Sequence, residues 1–515
     1  MKVVIIGGGI AGISAAHMLS SNKDVEIHVY EAEDIIGGQA CSNMGKLCYV
    51  EYSWRVFFDT YYNLKSIINE LGVQSNFENV NVCLINKRNE TGIISDRFLD
   101  ILKYGNIHVL NKFMNLLVEC KQRLITEYDI SADEYFEHNN YLRTMIGPYF
   151  GLESTKVSLS GFAKFLFSLQ KSRFSYDNKV SRLPTSQALF EPWQAYLQKK
   201  GVHFHVSSPC TEITYTDTIK HVTVGGQNII ADEYIFCCSL KSLNRLLKPT
   251  CNTFKHLRLL ESGLQLYYSM SIHFSKETRT DTCNQIVLMD TPWILLADKK
   301  RAWKNKVLKH CNPNVKESWN IAAIDGIPGS LYHKILSECS KEEAQAEILY
   351  QLQQSEYFKK IKTDIIDVED WHQFENNIDG KLTVTNPKFS VNVGNLKIMP
   401  TSHPVDIPKN MYLAGYYVNS TMGGASMESS CETGLQAAQD LLDSKQMKHS
   451  YQVKKHEEWF ITYYTIPLIL FDYVLYYLNI GPLTHVIPST VLIIVYTLFL
   501  IYIILFFMLR IVKSK

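Results

Sequence analysis

Lys2-Val-Val-Ile-Ile6, Gly7-Gly8-Gly9-Ile10-Ala11-Gly12 and the following stretch to Glu31 decide how this chain is read. The opening residues are a short apolar run, the pattern of a buried strand. They lead straight into glycines that fit G-x-G-x-x-G through Gly7, Gly9 and Gly12. Apolar residues at helical spacing run from Ile10 to Ser21, and Val25 to Tyr30 reads as a second strand ending at Glu31. This is a βαβ unit in which each part has a job. Gly7 permits a tight turn, Gly9 lets backbone approach a pyrophosphate, and Gly12 lets helix pack on strand. The open amides at Ile10 and Ala11, at the positive end of the helix dipole, face the diphosphate. Glu31 stands where a carboxylate accepts both hydroxyls of an adenosine ribose and repels a 2′-phosphate. The reading is a dinucleotide site.

The same logic recurs near the far end. Ile407-Pro-Lys-Asn-Met-Tyr-Leu-Ala-Gly415 reads as turn, strand and glycine, and Gly423-Gly-Ala-Ser-Met-Glu428 opens an amphipathic helix to Leu442. Ser426 with Glu428 supplies an N-terminal cap and early negative charge. At 515 residues the chain exceeds one core, so two or three domains are expected. A formal net charge of +1 without a basic block excludes nucleic acid as a partner. The 30 Tyr and 24 Phe imply large apolar surfaces, in a core or around an apolar ligand. The 12 Cys include no C-x-x-C pair and no zinc spacing, which reads as reduced thiols in a cytosolic setting with no metal. A strand beginning at Lys2 leaves no room for a signal peptide.

Beyond Glu31 comes Gly37-Gly38-Gln39-Ala40, and Glu31-x5-Gly37-Gly38 resembles the extended motif of the amine oxidase and phytoene desaturase superfamily of FAD enzymes. Val50-Glu-Tyr-Ser-Trp-Arg-Val-Phe-Phe58 and Tyr62-Asn-Leu64 resemble the E-H-x-x-H-V-F-F and Y-x-N-L segments of carotenoid desaturases, which pass close to the flavin. The Gly415 to Glu428 region resembles the family's closing motif, which sets a helix end at the pyrimidine edge of the flavin, and Asn386-Pro-Lys-Phe389 with Val393-Gly394 resembles the run that precedes this motif in bacterial desaturase-like oxidoreductases. The resemblance implies an α/β fold. A Rossmann-like FAD-binding domain (1–85, 183–250 and 396–445) is interleaved with an α+β substrate domain (86–182 and 251–395). It implies FAD held by Gly7, Gly9, Ile10, Ala11, Gly12, Glu31, Gly37, Gly38, Gln39, Gly415, Ser426 and Met427, with backbone near Cys210 on the adenine. Arg55, where the family segment has its second histidine, is the catalytic candidate, a cation near isoalloxazine or substrate. Trp293, Trp371 and His372 are candidates for a wall beside the flavin, and Leu264 to Phe274 for a pocket lining. Two positions depart from the family: Gln39 replaces a frequent arginine, and Tyr416 replaces an acid after the glycine.

Residues 446–515 read as a membrane-associated tail. Val486 to Leu509 carries no charge over 24 residues, enough to cross about 30 Å of hydrocarbon as a helix. Trp459 to Ile480 is apolar but holds Pro467, Asp472 and Asn479, and an aspartate at mid-bilayer costs about 2.5–3.5 kcal/mol. It reads as an interfacial or second membrane segment. Lys454, Lys455, Arg510, Lys513 and Lys515 place the FAD domain on the cytosolic side. The expectation is a C-terminally anchored FAD-dependent oxidoreductase. It would dehydrogenate an isoprenoid- or carotenoid-like substrate by hydride transfer to flavin, with oxygen or a quinone as electron acceptor. The alternatives are an amine oxidase releasing hydrogen peroxide, a non-redox flavin mutase or isomerase, and a non-catalytic FAD-binding membrane protein.

Overall fold

Three distant stretches of sequence build one parallel sheet. The computed structural model describes residues 1–53, 55–80, 82–85, 91–93, 112, 116, 130–138, 155–170, 178–278, 284–300, 303, 307–359, 365–449 and 451–456. Strand Lys2–Ile6 lies at the centre of the sheet, between Glu26–Tyr30 and Glu233–Phe236. Met411–Leu413 closes one edge and His203–His205 the other. Val3, Val4 and Ile5 are fully buried. A parallel strand covered on both faces needs such a continuous apolar run. Helix Ile10–Leu19 follows the first strand, and helix Met427–Ser444 packs directly against it.

A second, seven-stranded sheet is built around Tyr267–Phe274, every residue of which is buried. Its order is Ile365–Asp370, Tyr267–Phe274, Glu317–Ile324, Leu295–Lys299, Gln285–Leu288, Val82–Ile85 and Thr91–Ile93. Helix Leu159–Gln170 carries apolar residues at helical spacing. Both sheets belong to one compact unit, 1–97 with 122–457. Residues 98–121 and 458–515 form another, of which only Lys112 and Leu116 are described.

Two expectations change, and one lies out of reach. Cys48 and Cys311 form a disulfide rather than reduced thiols. They are 263 residues apart in sequence and meet only through tertiary folding, so spacing carried no sign of the pair. Trp293 is not a wall beside the cofactor but part of the core, fully buried with its indole N–H donated to the Ile327 carbonyl at 2.8 Å. Among the described residues no helix is long and apolar enough to cross a membrane. The segments 459–480 and 486–509 lie outside those residues.

Candidate functional site

The carboxyl ends of all five parallel strands open on one cavity of about 630 Å³. Its wall takes Gly7 after the first strand, Glu31 after the second, Ser208 and Cys210 after His203–His205, Cys237 and Cys238 after Glu233–Phe236, and Gly415 after Met411–Leu413. Ligands of open parallel sheets bind in this crevice. Both helix starts reach it, through Ile10 and Ala11 on one side and Ser426 and Met427 on the other.

Close backbone approaches set the positions of these parts. Gly7 has φ +106°, and a Cβ there would stand 2.8 Å from the Cys237 carbonyl. A Cβ on Gly12 would come within 3.1 Å of the Gly7 carbonyl carbon, and one on Gly434 within 2.9 Å of the Ala11 carbonyl carbon. The two helices therefore touch backbone to backbone, with Ser14 Oγ donating to Cys431 Sγ at 3.3 Å beside the contact. Gly37 N–H donates to Gly8 O at 3.0 Å, so the two glycine loops lie side by side.

Glu31 is buried, and its carboxylate accepts the Gly8 N–H at 2.6 Å and the Glu33 N–H at 3.0 Å. Burial raises its pKa, and the two amides oppose that rise. Ser208 N–H donates to Glu31 O at 2.7 Å, which brings the Cys210 backbone to the same end of the cavity. At the other end Ser426 caps its helix by a reciprocal pair with Ser429: its Oγ accepts the Ser429 N–H at 3.0 Å, and Ser429 Oγ accepts the Ser426 N–H at 2.7 Å. Glu428, expected as negative charge at that helix tip, turns away from the cavity. It caps helix Tyr62–Glu70 by accepting the Asn63 and Leu64 N–H groups at 2.8 and 3.0 Å. Burial pushes its carboxyl up to about 8 against those donors.

Arg55 lies on the wall, but its guanidinium points into the protein. It donates to the carbonyls of Gln39, Ala40, Cys41 and Tyr52 at 2.6 to 3.1 Å and pairs with Glu51 at 3.3 Å. These bonds clip the Gly37–Ala40 turn in place, so Arg55, expected as a cation near isoalloxazine or substrate, is a wall residue that positions this turn. Glu51 is 1% exposed and also accepts from Ser42, Thr185 and Lys300, while Lys300 bonds Asp298. Burial alone would raise the Glu51 carboxyl, yet Lys300 and Arg55 together hold it far below the usual carboxylate range.

The cavity's Ser426 end is aromatic. Phe58, Tyr61, Phe165, Tyr52, Tyr267 and Trp371 line it, and His372 stands beside Trp371 with its Nδ1 2.6 Å from Asn43 Nδ2. Sequence reasoning missed Lys388. Its ammonium lies 4.4 Å from the Tyr267 ring centroid, with no carboxylate in ion-pair distance among the described residues. Burial pushes its pKa down to about 8. In sequence it sits in Asn-Pro-Lys-Phe, a run that resembles the family's, but nothing in that run marks its lysine, and only its place among aromatics does.

The wall fits a flavin dinucleotide. Gly9, at φ −71°, has room for a Cβ, whose nearest neighbour would be Gly38 Cα at 3.8 Å. Nothing in the fold demands glycine there, so its open face suits a group lying against the backbone. The buried hydroxyls of Tyr52 and Tyr416, both on the wall, make no hydrogen bond within the described structure. A ligand with polar edges would satisfy them. Comparison with known proteins agrees. The model of flavin containing amine oxidoreductases matches residues 10–442. The chain belongs to that family. The family is one of flavin-containing oxidoreductases, and FAD is the cofactor the site would hold. A zeta-carotene desaturase from Synechocystis sp. is 24% identical over 300 residues, which cover 49% of this chain and 60% of the relative. The match thus spans less than two thirds of that protein. Among solved structures, an oxidoreductase from Methanosarcina mazei has TM-score 0.61 at 14% identity, covering 86% of this chain and 100% of that one. A putrescine oxidase double mutant has TM-score 0.59 at 14% identity, covering 86% and 99%. At these identities the structures speak for the fold alone.

Proposed function

We propose that this protein dehydrogenates an apolar, uncharged substrate of isoprenoid or carotenoid type. The observation that carries this reading is the charge of the aromatic end. The acidic residues on the cavity wall are Glu31, Glu33 and Asp34, all in the turn after strand Glu26–Tyr30, and Glu33 is already paired with His372 at 3.6 Å. Where a substrate would meet aromatic rings, the wall instead offers the Lys388 ammonium. A partly buried cation with no carboxylate partner among the described residues repels an ammonium substrate and tolerates a neutral hydrocarbon. The resemblance to a zeta-carotene desaturase supports the same substrate class.

Residues Gly7 to Gly12, Glu31, Gly37 to Gln39, Cys210, Gly415, Ser426 and Met427 would hold FAD, which supplies a two-electron acceptor for a hydride. Tyr52, Tyr267 and Trp371 exclude water and orient the chain to be oxidised. The Lys388 amine, close to half neutral near pH 8, can take the proton that leaves the neighbouring carbon as a C=C bond forms. Arg55 keeps the Gly37–Ala40 turn fixed. Residues 486–509 anchor the protein to a membrane with the FAD domain on the cytosolic side, and oxygen or a quinone would serve as electron acceptor. The Cys48–Cys311 disulfide argues for an oxidising compartment instead, so a thiol count on protein taken directly from cells bears on that orientation.

The test uses full-length protein purified in detergent. Under anaerobic conditions the flavin absorbance should bleach with an isoprenoid or polyene and stay unchanged with long-chain primary amines. Lys388→Met should improve amine binding about tenfold by removing the repelling charge. Bleaching by amines with peroxide release in air, and none by polyenes, would overturn the reading.

A further inference from the structure

Hydrogen bonds along the cavity wall join into a closed ring, and one link in it differs from the others. Gly8 N–H donates to Glu31 Oε2 at 2.6 Å, and Glu33 N–H to Glu31 Oε1 at 3.0 Å. The Glu33 side chain then crosses to the loop after strand Ile365–Asp370. There its Oε1 accepts Gln373 Nε2 at 3.3 Å, and its Oε2 stands 3.6 Å from His372 Nε2. Gln373 Oε1 accepts from Asn386 Nδ2 at 3.2 Å, and the Asn386 carbonyl accepts from Gln39 Nε2 at 2.7 Å. Gln39 belongs to the turn whose Gly37 N–H donates to Gly8 O at 3.0 Å, which closes the ring. Glu31, Glu33, Gln373, Asn386 and Gln39 are all wall residues, so the ring is built into the wall of the cofactor space. The link at Glu33 is the weakest. It rests on side chains alone, its distances are the longest in the ring, and the Glu33 and His372 side chains are 42% and 39% exposed. Water competes for such contacts, so exposed pairs hold weakly. The Gln373 side is firmer: Thr385 N–H donates to Gln373 O at 3.2 Å, and Phe374–Asn376 pairs with Leu382–Val384 as a hairpin. Ala32 and Asp34, the wall residues on either side of Glu33, are exposed, so the cavity meets solvent at this turn.

We propose that Glu33 and Gln373 form a seam in the cavity wall, and that parting of this seam admits and releases FAD. The site runs from Glu31 to Ser426, so a dinucleotide lying along it leaves in one step through a side opening, whereas a closed wall would have to be threaded. Glu33 is a positioning residue in this account: its backbone steadies the Glu31 carboxylate and its side chain holds the wall shut. The seam depends on the FAD site and not on the substrate class argued above.

Rates separate a seam from an ordinary contact. A link broken on the way in and on the way out changes entry and exit together, whereas a contact made to bound FAD changes exit alone. The experiment follows FAD release from the loaded full-length protein in detergent, and FAD uptake by the same protein after stripping, by flavin fluorescence. Glu33→Ala and Gln373→Ala should each raise both rate constants about fivefold and leave Kd within about twofold of the parent. The double variant should be no faster than either single one, because both remove the same link. Gln373→Glu sets two carboxylates against each other and should raise both rates about tenfold. Adding Glu33→Gln to it restores a donor opposite an acceptor and should return both rates to within about twofold of the parent. Faster exit with unchanged entry, additive effects in the double variant, or a swapped pair that fails to rescue would each overturn the seam. Rates that ignore both substitutions in FAD-loaded protein would overturn the seam and leave the cofactor reading standing. A chain that takes up no FAD would overturn both.

Discussion

Gly434→Ala separates two physical accounts of the cofactor site by sign. Gly434 sits inside helix Met427–Ser444, where alanine is the better helix former by about 1 kcal/mol. Propensity alone therefore expects a more stable protein. Packing expects the opposite. A Cβ at 434 would lie 2.9 Å from the Ala11 carbonyl carbon and 3.0 Å from Ala11 Cα, nearer still to the oxygen. Ordinary carbon contacts lie at about 3.5–4.0 Å, so the helices must part by about half an ångström or more. Both colliding groups are backbone and a methyl has no rotamer to escape into, so the strain cannot relax locally. Overpacking of this kind costs about 1–3 kcal/mol, which outweighs the propensity gain in most of that range. Because each helix starts at the cavity wall, separation also spoils the spacing of the two tips across the ligand. We expect a net stability loss of about 1 kcal/mol in urea unfolding and FAD binding weakened about tenfold in equilibrium dialysis. A variant that is more stable and binds FAD as tightly as the parent would show that the helices do not bear on each other as described.

Arg55→Met leaves four carbonyls and the buried Glu51 without their donor, and losing one partner of a buried charge pair costs about 3–5 kcal/mol. The purified variant should unfold earlier and carry less FAD, with Arg55→Lys rescuing little because one ammonium cannot span the same acceptors. Parental stability and flavin content would refute the clip. For Glu428 the sign follows from a folded carboxyl at about 8 against an ordinary value of 4.5. Between those values the folded state holds a proton that the unfolded chain lacks, so its contribution is full at low pH and lost as pH rises toward 8. Glu428→Gln removes that slope. The variant's stability relative to the parent should climb from pH 5 to 8 in paired urea titrations, and curves that stay parallel would contradict the assignment.

The two ends of the chain were legible because their physics is local. A strand, a glycine turn and a helix start lie between Lys2 and Ile10 at one end and between Met411 and Met427 at the other, and the spacing survives as pattern. The middle was not, because its key relations join distant residues. Glu428 reads as part of its own helix tip but serves the helix at Tyr62, which only the fold brings near. Arg55 was recognisable as a charge beside the cofactor. That its donors turn inward depends on the carbonyls of 39 to 41, and carbonyls leave no trace in sequence. Cys48 and Cys311 illustrate the same limit at 263 residues of separation.

The two departures from the family pattern are parts of one arrangement. Gln39 Nε2 donates to the Asn386 and Pro387 carbonyls at 2.7 and 3.2 Å, holding the strand that carries Lys388 and Phe389. Phe389 in turn stacks on Tyr416, with ring centres 5.6 Å apart and planes at 20°. Gln39, Lys388 and Tyr416 are thus linked through one short segment. An arginine at 39 would bring a second cation to the base of the strand that presents the buried ammonium. With a neutral amide and a phenol instead, Lys388 keeps its charge unpaired, and its lowered pKa follows from burial without compensation. The positions that look like losses of cofactor contacts therefore define the electrostatics of the aromatic end. Neither residue adds a charge to that segment, and burial leaves the Lys388 amine able to switch between charged and neutral forms near pH 8.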